Sequence, residues 1–284
     1  MENIESCSPR TLKAYSSDLD QAFRDKLNVV FSESEAWACA RLATQLWGGL
    51  SPASRNRKVA TLKSLFNWLL QQGHIEQDLA EQLHCPKIPK RIPHFISVDE
   101  VLSVLKYFSE QLSENSDSDS ADKIRTQKTL FVLLYGCGLR ISEACTLKWK
   151  DVDLAQSRIL INGKGGKQRY AVMPSLCCEY LSKFQGNRKT EFVFGDAPLN
   201  PRTGYELIRM AGAAAGLMTP LHPHALRHSY ATHLLASGTN LRTLQNLLGH
   251  ESLQATEKYT HLSVDQLARL VERTHPLNKL KLSS

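Results

Sequence analysis

The sequence lacks the patterns that anchor a chain in a membrane or cross-link a small secreted fold. None of its apolar runs is long enough to span a bilayer, and the first ten residues, MENIESCSPR, contain no apolar signal-peptide core. Its seven cysteines are an odd number with no C-x-x-C spacing, which argues against a disulfide framework and a four-thiolate zinc site. We therefore expect a soluble, cytoplasmic protein with no membrane partner.

Motifs for nucleotides and metals are also missing. The stretch GKGGK at 163–167 does not fit the P-loop pattern, and no carboxylate cluster suits magnesium. His224 and His228 have the four-residue spacing of zinc ligands on a helix. However, Ala225 stands where a metalloprotease has glutamate, and Arg227 would place a fixed cation beside the metal. The sequence therefore predicts no metal and no cofactor.

What the sequence does have is an ordinary globular composition with a basic excess. Hydrophobic residues make up 42% and charged residues 22% of the 284 residues, enough for a sizeable core. Lys and Arg outnumber Asp and Glu by 35 to 28, which gives a net charge of +7. This excess favours an anionic partner such as nucleic acid.

A proline-rich basic stretch divides the chain. Residues 10–84 show helical periodicity throughout, with Gly73 as a candidate helix end. The stretch CPKIPKRIPHFIS at 85–97 has three prolines and four basic residues without periodicity, and Ser97 with Glu100 then forms a capping-box pattern. We expect an N-terminal helical domain at 1–84, a basic linker at 85–96 and a larger domain at 97–284.

The larger domain combines helical patterns with one β segment. Residues 113–122 are polar and acidic and predict a loop, and a buried helix then ends at Gly136 and Gly138. The stretch SRILINGKGGKQRYAVMP at 157–174 has two β-rich runs around a glycine-rich turn, which is typical of a hairpin. Helical periodicity continues from there to about residue 275. The predicted fold is mostly α with a small β-sheet.

Arginine recurs beside histidine or glutamate in a way that suits phosphate chemistry. Arg227 follows His224 by three residues. A guanidinium can hold two phosphate oxygens, and an imidazole can bond a third oxygen or move a proton near neutral pH. Arg140 follows the glycine pair and is expected at a helix start, where Glu143, one turn later, can brace it. These residues predict a phosphate site.

Four short segments resemble the signatures of one family. They are GLRISE at 138–143, HALRHSYATHLL at 224–235, LLGH at 247–250 and YTH at 259–261. In this order they resemble the tyrosine site-specific recombinases of the phage integrase family, nearest to its Xer-like and mobile-element members. The resemblance covers about residues 95–275 and, more loosely, the helical segment before them, which would be the family's core-binding domain. The implied catalytic set, with Glu143 in support, is Arg140, Lys164, His224, Arg227, His250 and Tyr259.

The resemblance also implies a reaction. Tyr259 would attack a DNA phosphodiester and form a 3′-phosphotyrosine link, with His224 as a candidate proton acceptor. Lys164 would protonate the departing 5′ oxygen, and Lys167 is its nearby competitor. Fixed donors would face the charge of the transition state; they are Arg140, Arg227 and His250. Because the link stores the energy of the broken diester, the reaction would need neither ATP nor a metal.

The implied partner is double-stranded DNA with a specific recombination site, bound at the nucleoid. A homo-tetramer, or a heterotetramer with a paralogue, would exchange strands between two duplexes through a Holliday junction. Several basic residues are candidate phosphate contacts. Three of them, Arg55, Arg57 and Lys58, crowd the start of the predicted helix that ends at Gly73 and would equally fit a solvent-exposed helix face. These candidates are Arg55, Arg57, Lys58, Lys87, Lys90, Arg91 and Lys167.

Other interpretations remain open. A C-terminal helix is predicted in SVDQLARLVERTHP, with Leu267, Leu270 and Val271 on one stripe and Ser263 as its cap. It would pack on its own core or dock on a neighbouring subunit. A type IB-like topoisomerase would use similar chemistry without exchanging partners. A DNA-binding protein that has lost catalysis is the alternative from a different class.

Overall fold

The computed structural model describes residues 9–24, 32–85, 95–114, 119–162, 168–248 and 264–279. The chain divides into two compact units, Met1–Arg91 and Ile92–Ser284. The division falls inside the predicted linker at 85–96, most of which lies outside the described residues. The assignment of the first domain as the family's core-binding domain, which would clamp DNA together with the catalytic domain, stays a prediction.

The described residues of the first unit form three α-helices, α1 (Pro9–Ala22), α2 (Glu33–Leu46) and α3 (Pro52–Gln71), with a short 3-10 helix at Trp47–Gly49. Ser32 and Glu35 form a capping box at the start of α2, and Ser51 caps α3. The prediction that 10–84 is helical throughout is wrong at its end. Gly73 adopts a φ of +70° and ends α3 as expected, but turns follow it as far as residue 85. Ile75, Leu79 and Leu83 of these turns are buried in the unit's core. Their four-residue spacing imitates the apolar stripe of a helix, which explains why the sequence predicted one here.

The second unit is also mainly helical. Its helices are α4 (Val98–Glu114), α5 (Asp119–Gly136), α6 (Ile141–Cys145), α7 (Ser175–Gln185), α8 (Pro201–Ala214), α9 (Pro223–Ala236), α10 (Leu241–Leu248) and α11 (Val264–Thr274). Helix α5 is central: it contacts α4, α7, α8 and α9, and residues 130–139 are all buried. The predicted capping box before α4 is present, with the Ser97 N–H donating to Glu100 at 2.7 Å.

The loop predicted at 113–122 is wrong over most of its length. Helix α4 extends to Glu114, and α5 already begins at Asp119. Ser120, Asp122 and Lys123 are exposed, whereas Ala121 is buried. The acidic, polar composition therefore belongs to the solvent-facing side of the first turns of a helix.

The sheet has three antiparallel strands in the order β1 (Val152–Asp153), β2 (Arg158–Asn162), β3 (Gln168–Val172). The hairpin β2–β3 was predicted, and its turn at 163–167 lies outside the described residues. Strand β1 was not predicted because two residues are too few to show an alternating pattern. Ile161 pairs with Arg169 and Ile159 with Ala171, so these four side chains share one face of the sheet.

Helical structure does not continue without interruption after the hairpin. Residues 186–200, between α7 and α8, form turns and isolated bridges in which Phe192 pairs with Lys148 and with Gly195. Gly186 and Gly195 have φ values of +44° and +143°, which no helix allows. The prediction of a helical pattern as far as residue 275 is therefore wrong for this segment.

Helix α11 packs on its own unit. Val271 is buried with Val172, Tyr230 and Leu248, and Glu272 accepts hydrogen bonds from the backbone N–H and the hydroxyl of Ser175 at the start of α7. Within the described part of the chain, none of the helices is long and apolar enough to cross a membrane. A subunit contact by α11 stays a prediction.

Candidate active site

The break between α5 and α6 places Arg140 at the start of α6, as its position after two glycines predicted. Gly138 adopts a φ of +63°, and a Cβ at this residue would lie 2.7 Å from the ring of Tyr230. Only glycine combines this backbone conformation with so close an approach. Arg140 is the N-cap residue of α6, and its side chain is 42% exposed.

Glu143 braces Arg140 through two hydrogen bonds. Its Oε2 accepts the backbone N–H of Arg140 at 2.7 Å, and its Oε1 accepts Arg140 Nη1 at 2.8 Å. The first bond closes the N-terminal turn of α6, and the second fixes the guanidinium. The Glu143 carboxylate therefore fixes the position of both the backbone and the side chain of Arg140.

Arg227 approaches the same carboxylate from α9. It is buried, its Nη1 donates to the carbonyl of Gly138, and its Nη2 donates to the carbonyl of Leu248 at 2.6 Å. Its Nη1 also lies 3.9 Å from Glu143 Oε2. These contacts tie α9 to the glycine break and to the end of α10, directly before residue 249.

A third arginine, Arg169 on β3, was missed by the sequence analysis. Its Nη2 donates to Glu143 Oε2 at 2.9 Å, and its side chain is only 15% exposed. Arg169 shares the buried face of the hairpin with Ile159, Ile161 and Ala171. An arginine at a core-facing position of a predicted strand was the signal available in the sequence.

Three guanidinium groups thus share one carboxylate in a largely buried site. Burial, together with the positive charge of Arg140, lowers the pKa of Arg227 to about 10. Burial also lowers the pKa of Arg169, against the opposing effect of Glu143. An uncompensated positive charge in a poorly solvated site is unfavourable, and a bound anion reduces that cost. The arrangement therefore suits a phosphate group.

The remaining predicted catalytic residues are placed only in part. His224 is exposed on the first turn of α9, one turn before Arg227. His228 is exposed further along α9, with its ring 6.4 Å from that of Phe95. Over the described ranges, no cluster of three or more His, Cys, Asp or Glu side chains could hold a metal ion. Four of the predicted residues lie outside the described residues: Lys164, Lys167, His250 and Tyr259.

The candidate DNA contacts of the first unit have partners within it. Lys58 is buried, and its Nζ donates to Asp18 at 2.9 Å and to Gln21 at 2.6 Å. Arg57 binds both carboxylate oxygens of Asp18 while remaining half exposed. A solvated face is therefore the wrong description of Lys58. DNA contacts by these residues and by Arg55 stay predictions; the linker candidates Lys87, Lys90 and Arg91 lie outside the described residues.

Comparison with known proteins identifies the family. The pattern of the phage integrase family matches residues 99–266. The tyrosine recombinase XerC of Oceanobacillus iheyensis is 33% identical to this chain, over 96% of the chain and 92% of the relative. The chain belongs to the phage integrase family. The family resemblance predicted from the sequence is confirmed, and this family member is an enzyme of site-specific DNA cleavage and rejoining.

Solved structures agree with this assignment. The XerH site-specific recombinase bound to a difH substrate is 25% identical, with a TM-score of 0.63 over 92% of this chain and 77% of that one. A lambda integrase tetramer bound to a Holliday junction is 20% identical, with a TM-score of 0.66 over 90% of this chain and 76% of that one. The second likeness shows the fold alone. The predicted fold class, mostly α with a small sheet in two domains, is confirmed.

Proposed function

We propose that this phage integrase family member is a recombinase that binds a specific site on double-stranded DNA and exchanges strands between two duplexes as a tetramer. One observation carries the proposal: Arg140, Arg169 and Arg227 converge on the single carboxylate of Glu143. This leaves an excess of fixed positive charge at one place. A phosphodiester gathers negative charge in its transition state, and preorganised donors stabilise that charge most effectively.

The two arginines of the predicted set have different tasks. Arg140 is the more accessible, with 42% of its side chain exposed against 11% for Arg227, so it is the arginine that a DNA phosphate reaches first. Arg227 is fixed by two backbone carbonyls, and a donor held so firmly loses little energy to reorganisation. Replacing either arginine is expected to lower the cleavage rate by ~10²–10³.

The proton transfers are assigned to His224 and to residues predicted from the sequence that lie outside the described residues. A phenol with a pKa of about 10 is a weak nucleophile at neutral pH, so Tyr259 needs an acceptor for its proton as it attacks. His224, exposed one turn before Arg227, takes that role, and His250 supplies a further donor to the phosphate. Lys164, with Lys167 as the alternative, protonates the 5′ oxygen that leaves. The resulting 3′-phosphotyrosine link keeps the energy of the diester, so a 5′ hydroxyl can reverse the reaction without ATP.

The assembly is inferred from relatives. A lambda integrase tetramer has been solved on a Holliday junction and XerH on its difH substrate. We infer a tetramer of this chain, either of four copies or together with a paralogue, that acts on DNA at the nucleoid. The net charge of +7 supports phosphate contacts whose strength falls as salt rises.

A plasmid-resolution assay tests this function. A supercoiled plasmid with two direct copies of DNA from the chain's genomic neighbourhood is incubated with the protein in EDTA without ATP. We expect two smaller circles and trapped Holliday junctions. Arg227→Gln should be slower by ~10²–10³, whereas Arg125→Gln, which removes a surface ion pair with Asp122, should match wild type. Relaxation without resolution would instead indicate a type IB-like topoisomerase, and binding without strand breakage a DNA-binding protein.

A further inference from the structure

We propose that Arg169 is a positioning residue for strand cleavage, acting through Glu143 on Arg140 and Arg227. The inference rests on the proposed function because it concerns the same phosphate site. Arg169 lies outside the four segments that carry the family resemblance, and it is not a member of the predicted catalytic set. Its role follows from three observations: its bond to Glu143, its place on the hairpin, and the poor pairing of its own guanidinium.

The bond to Glu143 gives Arg169 control over both other arginines. Glu143 Oε2 accepts from Arg169 Nη2 at 2.9 Å and from the Arg140 backbone N–H at 2.7 Å, and the same oxygen lies 3.9 Å from Arg227 Nη1. Only 10% of the Glu143 side chain is exposed, so water cannot readily replace a lost partner. Without Arg169, the carboxylate is free to turn toward the two remaining guanidinium groups and to displace them.

The place of Arg169 on β3 extends this control to the hairpin. Arg169 pairs with Ile161 on β2 and is the second residue after the turn at 163–167, which contains Lys164. The ion pair therefore fixes the strand that leaves this turn to the start of α6. Loss of this link would allow the hairpin to move independently of Arg140 and Arg227. Misplacement of a catalytic group by about 1 Å can cost ~10² in rate.

The guanidinium of Arg169 has too few hydrogen-bond partners for a residue that serves only to stabilise the fold. Its Nη1 is buried and has no hydrogen-bond partner among the described residues, although buried donors are almost always paired. Two further arginines approach the same carboxylate, and burial lowers the pKa of Arg169. An apolar side chain of similar volume would avoid these costs. The arginine thus contributes to the site rather than to the stability of the hairpin.

A double-mutant cycle tests the proposal. The measurement is single-turnover formation of the covalent adduct on nicked DNA from the chain's genomic neighbourhood, with DNA affinity measured in parallel. Arg169→Gln and Glu143→Gln should each lower the rate by roughly 10²-fold. The double variant should lose roughly 10²-fold as well, not 10⁴-fold, because both substitutions break one linkage. DNA affinity should stay close to that of wild type, since only 15% of the Arg169 side chain is exposed.

Two further variants separate positioning from general structural damage. Arg169→Lys keeps a cationic donor for Glu143 and should recover part of the lost rate. Arg158→Gln is the matched control, because Arg158 lies on the same hairpin, pairs with Asp153 at 3.3 Å and covers the ring of Tyr170; its rate should be that of wild type. Melting temperatures show whether the variants remain folded at the assay temperature.

Three outcomes would overturn the proposal. Additive losses in the double variant would mean that Arg169 acts independently of Glu143. Wild-type cleavage by Arg169→Gln would mean that the ion pair has no role in the reaction. If wild-type protein is folded and binds the DNA but forms no adduct, the proposed function itself fails, and the positioning role fails with it.

Discussion

At the scale of single residues, burial determines which groups carry charge. His275 is fully buried beneath Tyr135 and Tyr230. Its Nδ1 accepts the backbone N–H of Leu277 at 3.1 Å, which places the ring proton on Nε2, 3.3 Å from the carbonyl of Tyr135. Both contacts belong to a neutral imidazole. Burial, assisted by the nearby His233, lowers the pKa of His275 to about 3.

The pKa of His275 predicts a loss of stability at mildly acidic pH. A histidine in the unfolded chain has a pKa of about 6.5. At that pH the buried imidazole of His275 in the folded protein is still neutral. Between pH 6.5 and 3 the unfolded chain therefore binds one more proton, and stability falls as pH falls, by up to about 1.4 kcal/mol per pH unit. His275→Gln, which retains a donor and an acceptor, should show a shallower pH dependence in urea unfolding between pH 7.5 and 5. Parallel curves for the variant and wild type would mean that the folded protein protonates His275 as readily as the unfolded chain does.

At the scale of elements, the break between α5 and α6 connects the fold to the site. Gly138 turns the chain toward Arg140, leaves room for the ring of Tyr230, and presents its carbonyl to Arg227. Helix packing and arginine placement therefore depend on one residue without a side chain. The same turn lies at the end of the most deeply buried helix of the second unit.

Gly138→Ala is expected to lower both stability and cleavage. Gly216→Ala is the matched control because Gly216 also has a positive φ, +77°, but nothing lies within 4 Å of an added Cβ. Both variants carry the strain of a left-handed alanine, about 1–2 kcal/mol. Gly138→Ala adds a clash with Tyr230 and should lose about 1–3 kcal/mol more in urea unfolding. Equal losses in the two variants would contradict the close packing described at the break.

Elements differ in how far the sequence predicts them. Periodicity and the Ser97–Glu100 cap predicted α4, because caps and apolar stripes are local. The start of α5 was missed since its first turns expose polar side chains, and β1 was missed since two residues show no alternation. Motif order predicted Arg140, Glu143 and Arg227. Arg169 depends on strand register, which follows from contacts between β2 and β3 that no single segment specifies.

At the scale of the whole molecule, the chain brings distant segments to one sheet. Strand β3, which carries Arg169, contacts both α10 and α11. These two helices flank the segment in which Tyr259 occurs, and Leu248 at the end of α10 accepts a hydrogen bond from Arg227. Tyr259, the proposed nucleophile, therefore lies in sequence between two helices, α10 and α11, that both pack against β3, the strand that carries Arg169.

The most direct test of the account is covalent trapping on nicked DNA from the chain's genomic neighbourhood, in EDTA and without ATP. Wild-type protein should form an adduct on the 3′ end that protease removes, and sequencing of the trapped DNA should locate one site. Tyr259→Phe removes only the phenolic oxygen and should bind the same DNA without forming an adduct. An adduct that persists in Tyr259→Phe would contradict the assignment of the nucleophile. Absence of any adduct with wild type, on DNA that it binds, would contradict strand cleavage altogether.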